Sequence, residues 1–275
     1  MRSLRARAHP AAVASITTAD AELEETLDNL DGADNYAAWI FEQVNPHLGK
    51  EVLEVGAGHG TFTGLLSTSS ARVVATDVSE RCAGILRARF ADDPRVTVLQ
   101  GGTAAVAGLP PFDSAVLINV LEHIEDDDGA LRELSVTLKP GGRLILWVPA
   151  FELLYSDFDR KIGHYRRYRV AGLKAQLSSA GYEVTDIRYV NSVGALAWLV
   201  VARLLHRAPT GGLSVKIYDS YFVPVLKRVE GRWGTPFGQS LFAVAVWPGD
   251  RSSTTRPQLR LGGARNRRET NVYGE

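Results

Sequence analysis

EVLEVGAGHG, residues Glu51–Gly60, begins as an apolar strand and closes on three glycines at alternate positions. Glycine has no Cβ, so a chain can turn tightly there and a ligand can approach the backbone. A helical pattern follows from Thr61, so the run reads as strand, turn and helix start. Twenty-one residues after Gly56 stands Asp77, the last residue of a second strand-like run, RVVATD. An acidic residue at that strand end can accept hydrogen bonds from both hydroxyls of a ribose, because such strand ends converge at the switch point of the sheet. The glycine spacing is G-x-G-x-G, with Thr61 where a dinucleotide-binding fingerprint places its third glycine.

Outward from this unit the same alternation continues. A helix is expected through Arg81–Phe90, a third strand at RVTVLQ, a fourth in FDSAVLINVLEH and a fifth at GRLILWVP. The helix ALRELSVTL lies between the last two and is stopped by Lys139-Pro-Gly-Gly142. Strands and helices in alternation imply parallel pairing with right-handed crossovers, hence a doubly wound α/β sheet. GYEVTDIRYVN supplies a sixth strand and QSLFAVAVW the last. A hairpin needs only ~2–5 residues, so the long connection between these two must carry structure of its own. Its first half, VGALAWLVVARLLH, is apolar nearly all round, and its second, VKIYDSYFVPVLKRVEGRW, is mixed. Two helices are expected, forming a lid over residues 192–233. The domain is assigned to residues 21–248, between flexible tails at 1–20 and 249–275.

Lys and Arg together number 31, as do Asp and Glu, so the formal net charge is zero. That balance gives no electrostatic case for nucleic acid or an acidic membrane. The single cysteine, Cys82, excludes an intramolecular disulfide framework and a Cys-rich metal site, and no metal is expected. The N-terminus lacks the continuous apolar stretch of a signal peptide. The longest apolar run, Val193 to Leu205, falls short of the ~20 residues that cross a bilayer, so a cytoplasmic protein is the expectation. The composition is compatible with a GC-rich bacterial genome.

EVLEVGAGHG, VVATD, FDSAVLINVLEHIED and LKPGGRLILWVP resemble, in order, the motifs of class I S-adenosylmethionine (SAM)-dependent methyltransferases. The resemblance is close from Tyr36 to Pro149 and looser to Trp247. It implies a seven-stranded, mostly parallel Rossmann-like sheet with a helical insertion between the last two strands. It also implies SAM as cofactor, with S-adenosylhomocysteine as product. Glu54, Gly56, Ala57, Gly58 and Gly60 would line the methionine part, Asp77 would take the ribose, and Val78 would lie against the adenine. Asn119 would sit beside the methyl donor. Many relatives carry an acidic residue after the third strand; here the stretch is Gln100-Gly-Gly-Thr103, and the backbone or Thr103 would take its place. Tyr36 either reaches over SAM, as in relatives with a similar segment, or packs on the sheet, as expected for Trp39.

Two further clusters lie where ligands bind in such sheets. His123, after the fourth strand, is a candidate general base, with Glu122 beside it as an orienting carboxylate. The acidic run Glu125–Asp128 fits a solvated helix N-terminus. After the fifth strand, FELLYSDFDRKIGHYRRYRVAGL is similar to the acceptor segment of the family's small-molecule enzymes. It makes His164 a second candidate base and Asp159, Tyr165, Arg166, Arg167 and Tyr168 candidate substrate contacts. Guanidinium groups suit carboxylate or phosphate, through paired hydrogen bonds. The alternative is that these arginines pair with Asp157 and Asp159 and hold the loop. Tyr218 and Tyr221 of the insertion are the remaining candidates for the acceptor pocket.

The resulting expectation is methyl transfer to oxygen or nitrogen of a small, anionic acceptor by a monomer or homodimer. A non-catalytic SAM-binding module and a nicotinamide-dependent oxidoreductase stand as alternatives. No Asn-Pro-Pro-Tyr-like motif follows the fourth strand, which speaks against a macromolecular acceptor.

Overall fold

The structure, a computed structural model, describes residues 32–199, 216–230 and 235–249. Seven strands form one sheet: β1 Glu51–Val55, β2 Arg72–Asp77, β3 Val96–Gln100, β4 Phe112–Ile118, β5 Leu138–Pro149, β6 Glu183–Val190 and β7 Ser240–Val246. Their order is β3-β2-β1-β4-β5-β7-β6, with β7 antiparallel to both neighbours and the other pairs parallel. The helices expected from Thr61, near Arg81–Phe90 and at ALRELSVTL are present as α2 Thr61–Ser69, α3 Glu80–Arg89 and α4 Asp127–Thr137, joined by α1 Asp34–Val44, α5 Asp157–Lys161 and α6 Val170–Ser179. The insertion contributes α7 Ser192–Trp198, a π-helical turn Tyr218–Phe222 and α8 Val223–Glu230. Its remaining residues, 200–215 and 231–234, and the tails expected at 1–20 and from 250 onward, lie outside the described residues. Among the described residues no helix is long and apolar enough to cross a membrane.

The central strands are apolar almost without interruption because both faces are covered. Leu144 to Val148 of β5 are buried, and successive residues feed opposite layers. Leu53, Leu117 and Leu146 pack with Leu131 and Leu134 of α4 on one side. Val52, Val116 and Trp147 pack with Trp39 and Ile40 of α1 on the other. β5 begins earlier than the sequence pattern implies, at Leu138. The Lys139–Gly142 turn is absorbed as a register shift between Phe112 and Ser114, with Gly141 at φ +82°.

The acidic run before α4 acts as a cap, Asp126 accepting from the Gly129 amide at 2.8 Å. The insertion is tied to the body by two buried carboxylates. Asp219 accepts from the Tyr36 amide at 2.8 Å and from the amide and side chain of Asn35, at the start of α1. Glu230 accepts from the amides of Asn191 at 2.8 Å and Ser192 at 2.6 Å, where β6 passes into α7.

Candidate functional site

Glu54, Gly56, Gly58, Gly60, Asp77, Val78 and Asn119 lie at the carboxyl ends of β1, β2 and β4, the edge where open α/β sheets bind ligands. The backbone there departs from ordinary geometry. Asn119, Phe151 and Asn191, just beyond β4, β5 and β6, have φ of 53°, 60° and 66°, which non-glycine residues seldom adopt. Gly56, Gly58 and Gly60 after β1 are also at positive φ. At Gly56 a Cβ would come within 2.5 Å of Val120 Cγ2, so the glycine turn packs directly on the residue after Asn119.

The groove beside this turn carries the groups expected for the cofactor. Asp77 is buried; its two carboxylate oxygens accept from the amides of Gly58 at 2.8 Å and Ser79 at 2.9 Å. A carboxylate has about four acceptor positions, so capacity for two hydroxyls remains. Val78 next to it is an apolar side chain that is 76% exposed. Glu54 is buried and accepts from the Thr63 hydroxyl at 2.6 Å. Burial pushes its carboxyl up to about 8. Such a group recovers its charge when a cation comes beside it. Ala57 packs with Ala75 and Leu86, its amide donating to the Thr76 carbonyl at 3.0 Å.

Two cofactor candidates are engaged elsewhere. The Thr103 hydroxyl binds Glu133 of α4, in a cleft of 360 Å³ that extends to Phe112, at the amino end of β4. Tyr36 packs against Trp39 and Trp147, with ring centroids 5.9 and 6.4 Å away. Burial pushes its phenol up. Of its two expected roles, the geometry shows the packing one.

The acceptor-side residues separate into a buried frame and an open cluster. Arg167 donates to Asp159 through Nε at 2.8 Å and Nη2 at 2.7 Å, both groups being buried. Asp159 also accepts from the amide and hydroxyl of Ser156 at 2.8 and 2.9 Å. Arg166 pairs with Asp127 at 2.5 Å, and Tyr168 donates its hydroxyl to the same carboxylate at 2.9 Å. Of the ion pairs expected as the alternative for the arginines, Arg167 with Asp159 is formed, whereas Arg166 goes to Asp127 and Asp157 pairs with Arg160. Tyr165 is exposed and stacks with the Arg166 guanidinium at 5.9 Å.

His123 and His164 do come together, their rings edge to face with centroids 4.5 Å apart. Burial first, then the neighbouring His164, lowers His123 to about 3, so this imidazole is neutral across the physiological range. His164 Nδ1 lies 3.0 Å from Asp159 Oδ1. Burial works against the Asp159 charge, yet His164 and Arg167 hold its carboxyl below the usual range. Glu122, read from sequence as an orienting carboxylate, is fully buried and neither oxygen has a hydrogen-bond partner. Burial pushes it up to about 8. An acid following an apolar strand gives no sequence signal that it turns inward. Of the insertion's tyrosines, Tyr218 donates to Asn191 Oδ1 at 2.5 Å, while Tyr221 is exposed.

A family model described as a methyltransferase domain matches residues 2–187. The chain belongs to that family. This methyltransferase-domain chain is 36% identical over 123 residues to a demethylmenaquinone methyltransferase of Clavibacter sepedonicus, covering 42% of this chain and 49% of that one. It is 27% identical over 157 residues to a ubiquinone biosynthesis O-methyltransferase of Xanthomonas axonopodis, covering 50% and 65%. The chain spans about half the length of the curated relatives it matches. Its fold matches an S-adenosylmethionine-dependent methyltransferase of Mesorhizobium loti with TM-score 0.51 at 16% identity, over 76% of this chain and 97% of that one.

Proposed function

We propose that this protein transfers a methyl group from SAM to a small-molecule acceptor. The observation that carries the reading is the Asp77 carboxylate, held by the Gly58 and Ser79 amides beside the exposed Val78. Asp77 would fix the ribose and Val78 one face of the adenine. Buried Glu54 would receive the ammonium of the methionine part, for which its raised carboxyl is suited. Bound SAM supplies an electrophilic methyl on a sulfonium. The chain's own work is to orient it, exclude water and present the acceptor in line, positioning worth ~7–11 kcal/mol of barrier. His123 or His164 would relieve a protonated nucleophile of its proton. Calorimetry with SAM, S-adenosylhomocysteine and NAD tests the cofactor. The variant D77A should weaken SAM binding by at least ~1 kcal/mol, the scale of a hydrogen bond to a charged group. Unchanged affinity in a folded variant would sink the ribose assignment. Turnover of labelled SAM over acceptor panels, quinols and other anionic or phenolic metabolites first, tests the reaction.

The insertion serves in this reading as the acceptor lid. Support comes from α7, which buries Trp198 against Leu154 and Phe158 and donates its indole N–H to the Leu154 carbonyl at 3.0 Å. It thereby covers the loop that follows β5, while Leu196 on its other side stays exposed. Tyr221 and Phe222 add open aromatic surface. Residues 21–248 form the working domain in this reading, the protein acts as a monomer or homodimer, and it works in the cytoplasm, where its donor is made.

A further inference from the structure

We propose that Glu122, His123 and His164 hold one divalent transition-metal ion of the zinc class at the carboxyl edge of β4. Each offers one ligand atom, and the three atoms lie within 4.8 Å of one another. His164 Nε2 and Glu122 Oε1 are 3.8 Å apart. Four-coordinate zinc with bonds of ~2.0–2.2 Å separates its ligands by roughly 3.3–3.6 Å, so small side-chain rotations complete the set. Two histidines and one carboxylate, with a fourth position open, is a donor set that zinc accepts.

The hydrogen bonds behind the cluster make this more than proximity. Asp159 takes two contacts from Arg167, two from Ser156 and one from His164 Nδ1. An acceptor-only carboxylate at Nδ1 places the ring proton there and leaves Nε2 as a bare lone pair. That lone pair faces the Glu122 carboxyl, whose two oxygens have no partner at zero exposure. A cation between the Glu122 carboxylate and the Nε2 lone pair would satisfy both. A carboxylate behind a ligating histidine is the usual way to fix its tautomer and orientation. An ion here would keep one position for an oxygen of the acceptor, polarising it as a Lewis acid.

The site is independent of SAM binding, so its test reads metal directly. The untagged full chain is treated with chelator and titrated with Co²⁺, then Zn²⁺, following visible absorption and metal content. One ion per chain, with the ligand-field bands of four- or five-coordinate cobalt that Zn²⁺ abolishes, is the expected result. E122Q and H164A should each weaken binding by at least about 100-fold. D159N, which removes the orienting carboxylate and also breaks the buried Arg167 pair, should weaken it by about 10–100-fold. Thermal unfolding confirms that each variant is folded, and SAM calorimetry on the same samples separates this result from the cofactor reading. A wild-type chain that takes up no stoichiometric ion overturns the proposal. So does an ion whose affinity is unchanged in both folded E122Q and folded H164A.

Discussion

SAM affinity should depend on pH through Glu54. Its carboxyl is raised by burial from 4.5 to about 8, so in the ligand-free protein it is mostly protonated at neutral pH. Only about 1% is ionised at pH 6 and about 9% at pH 7. If the ammonium of SAM requires the carboxylate, affinity should rise nearly tenfold between pH 6 and pH 7, about 1.4 kcal/mol. Binding near pH 7 should release close to one proton. Above pH 8 the gain ends, because Glu54 is then ionised beforehand and the ligand's own amine begins to lose its proton. Calorimetry in two buffers of different ionisation enthalpy measures the proton directly. The variant E54Q should bind weakly and with a flat profile between pH 6 and 7. Buffer-independent enthalpy in the native chain, with affinity constant over that unit, would refute the assignment of Glu54 to the ammonium.

Replacing whichever of His123 or His164 takes the acceptor proton should lower turnover by about 10²–10⁴-fold with SAM affinity unchanged; normal turnover in both single variants would mean the acceptor arrives ionised. Y168F should cost about 1–3 kcal/mol of stability in denaturant melts, since it strips the buried Asp127 of a donor at 2.9 Å, while acceptor KM stays put. Stability of the ligand-free protein should fall from pH 6.5 to pH 8. Glu54 and Glu122 sit above their unfolded value of 4.5, so the folded state binds more protons until pH passes about 8. His123, lowered to about 3, acts oppositely and only between pH 3 and 6.5. Thermal melts across this range, with and without SAM, check the sign.

The sheet was legible because its signals are local and redundant. Each of β1, β2, β4 and β5 is a mostly apolar run bounded by a turn, and the glycine triplet with Asp77 fixes which ends meet. The long gap between β6 and β7 announced the insertion, since antiparallel neighbours need only a hairpin. GHYRRY was not legible in the same way. Alternating charge and aromatic ring fits a binding loop and an internally bonded one equally well. The partners that decide, Asp127 for Arg166 and Tyr168, lie some forty residues away. Glu122 was hidden for a related reason: burial of an acid depends on what covers it, and spacing along the chain does not record that.

The three strained strand ends connect the frame to the chemistry. Positive φ at Asn119, Phe151 and Asn191 costs energy that local bonds must offset. The Asn119 amide donates to the Trp147 carbonyl at 2.7 Å. Phe151 stacks on Tyr189 at 4.5 Å and its amide donates to the Tyr168 carbonyl at 2.8 Å. Asn191 caps α7 through Gly194, donates to Gln239 and receives Tyr218. Arg167 and Tyr168 therefore serve the site by pinning the β5 end, their charges and hydroxyl being consumed inside. Exposed at this edge among the described residues are Tyr165 and the insertion's Tyr221 and Phe222, whereas Glu122, His123 and His164 form the ion site proposed above. A rigid frame presenting a few unsatisfied groups is what in-line transfer requires, because misplacement of about 1 Å costs on the order of 10²-fold in rate. Acceptor choice should then vary with the insertion and Tyr165 far more than with the arginines, although the arginines are the more conspicuous in the sequence.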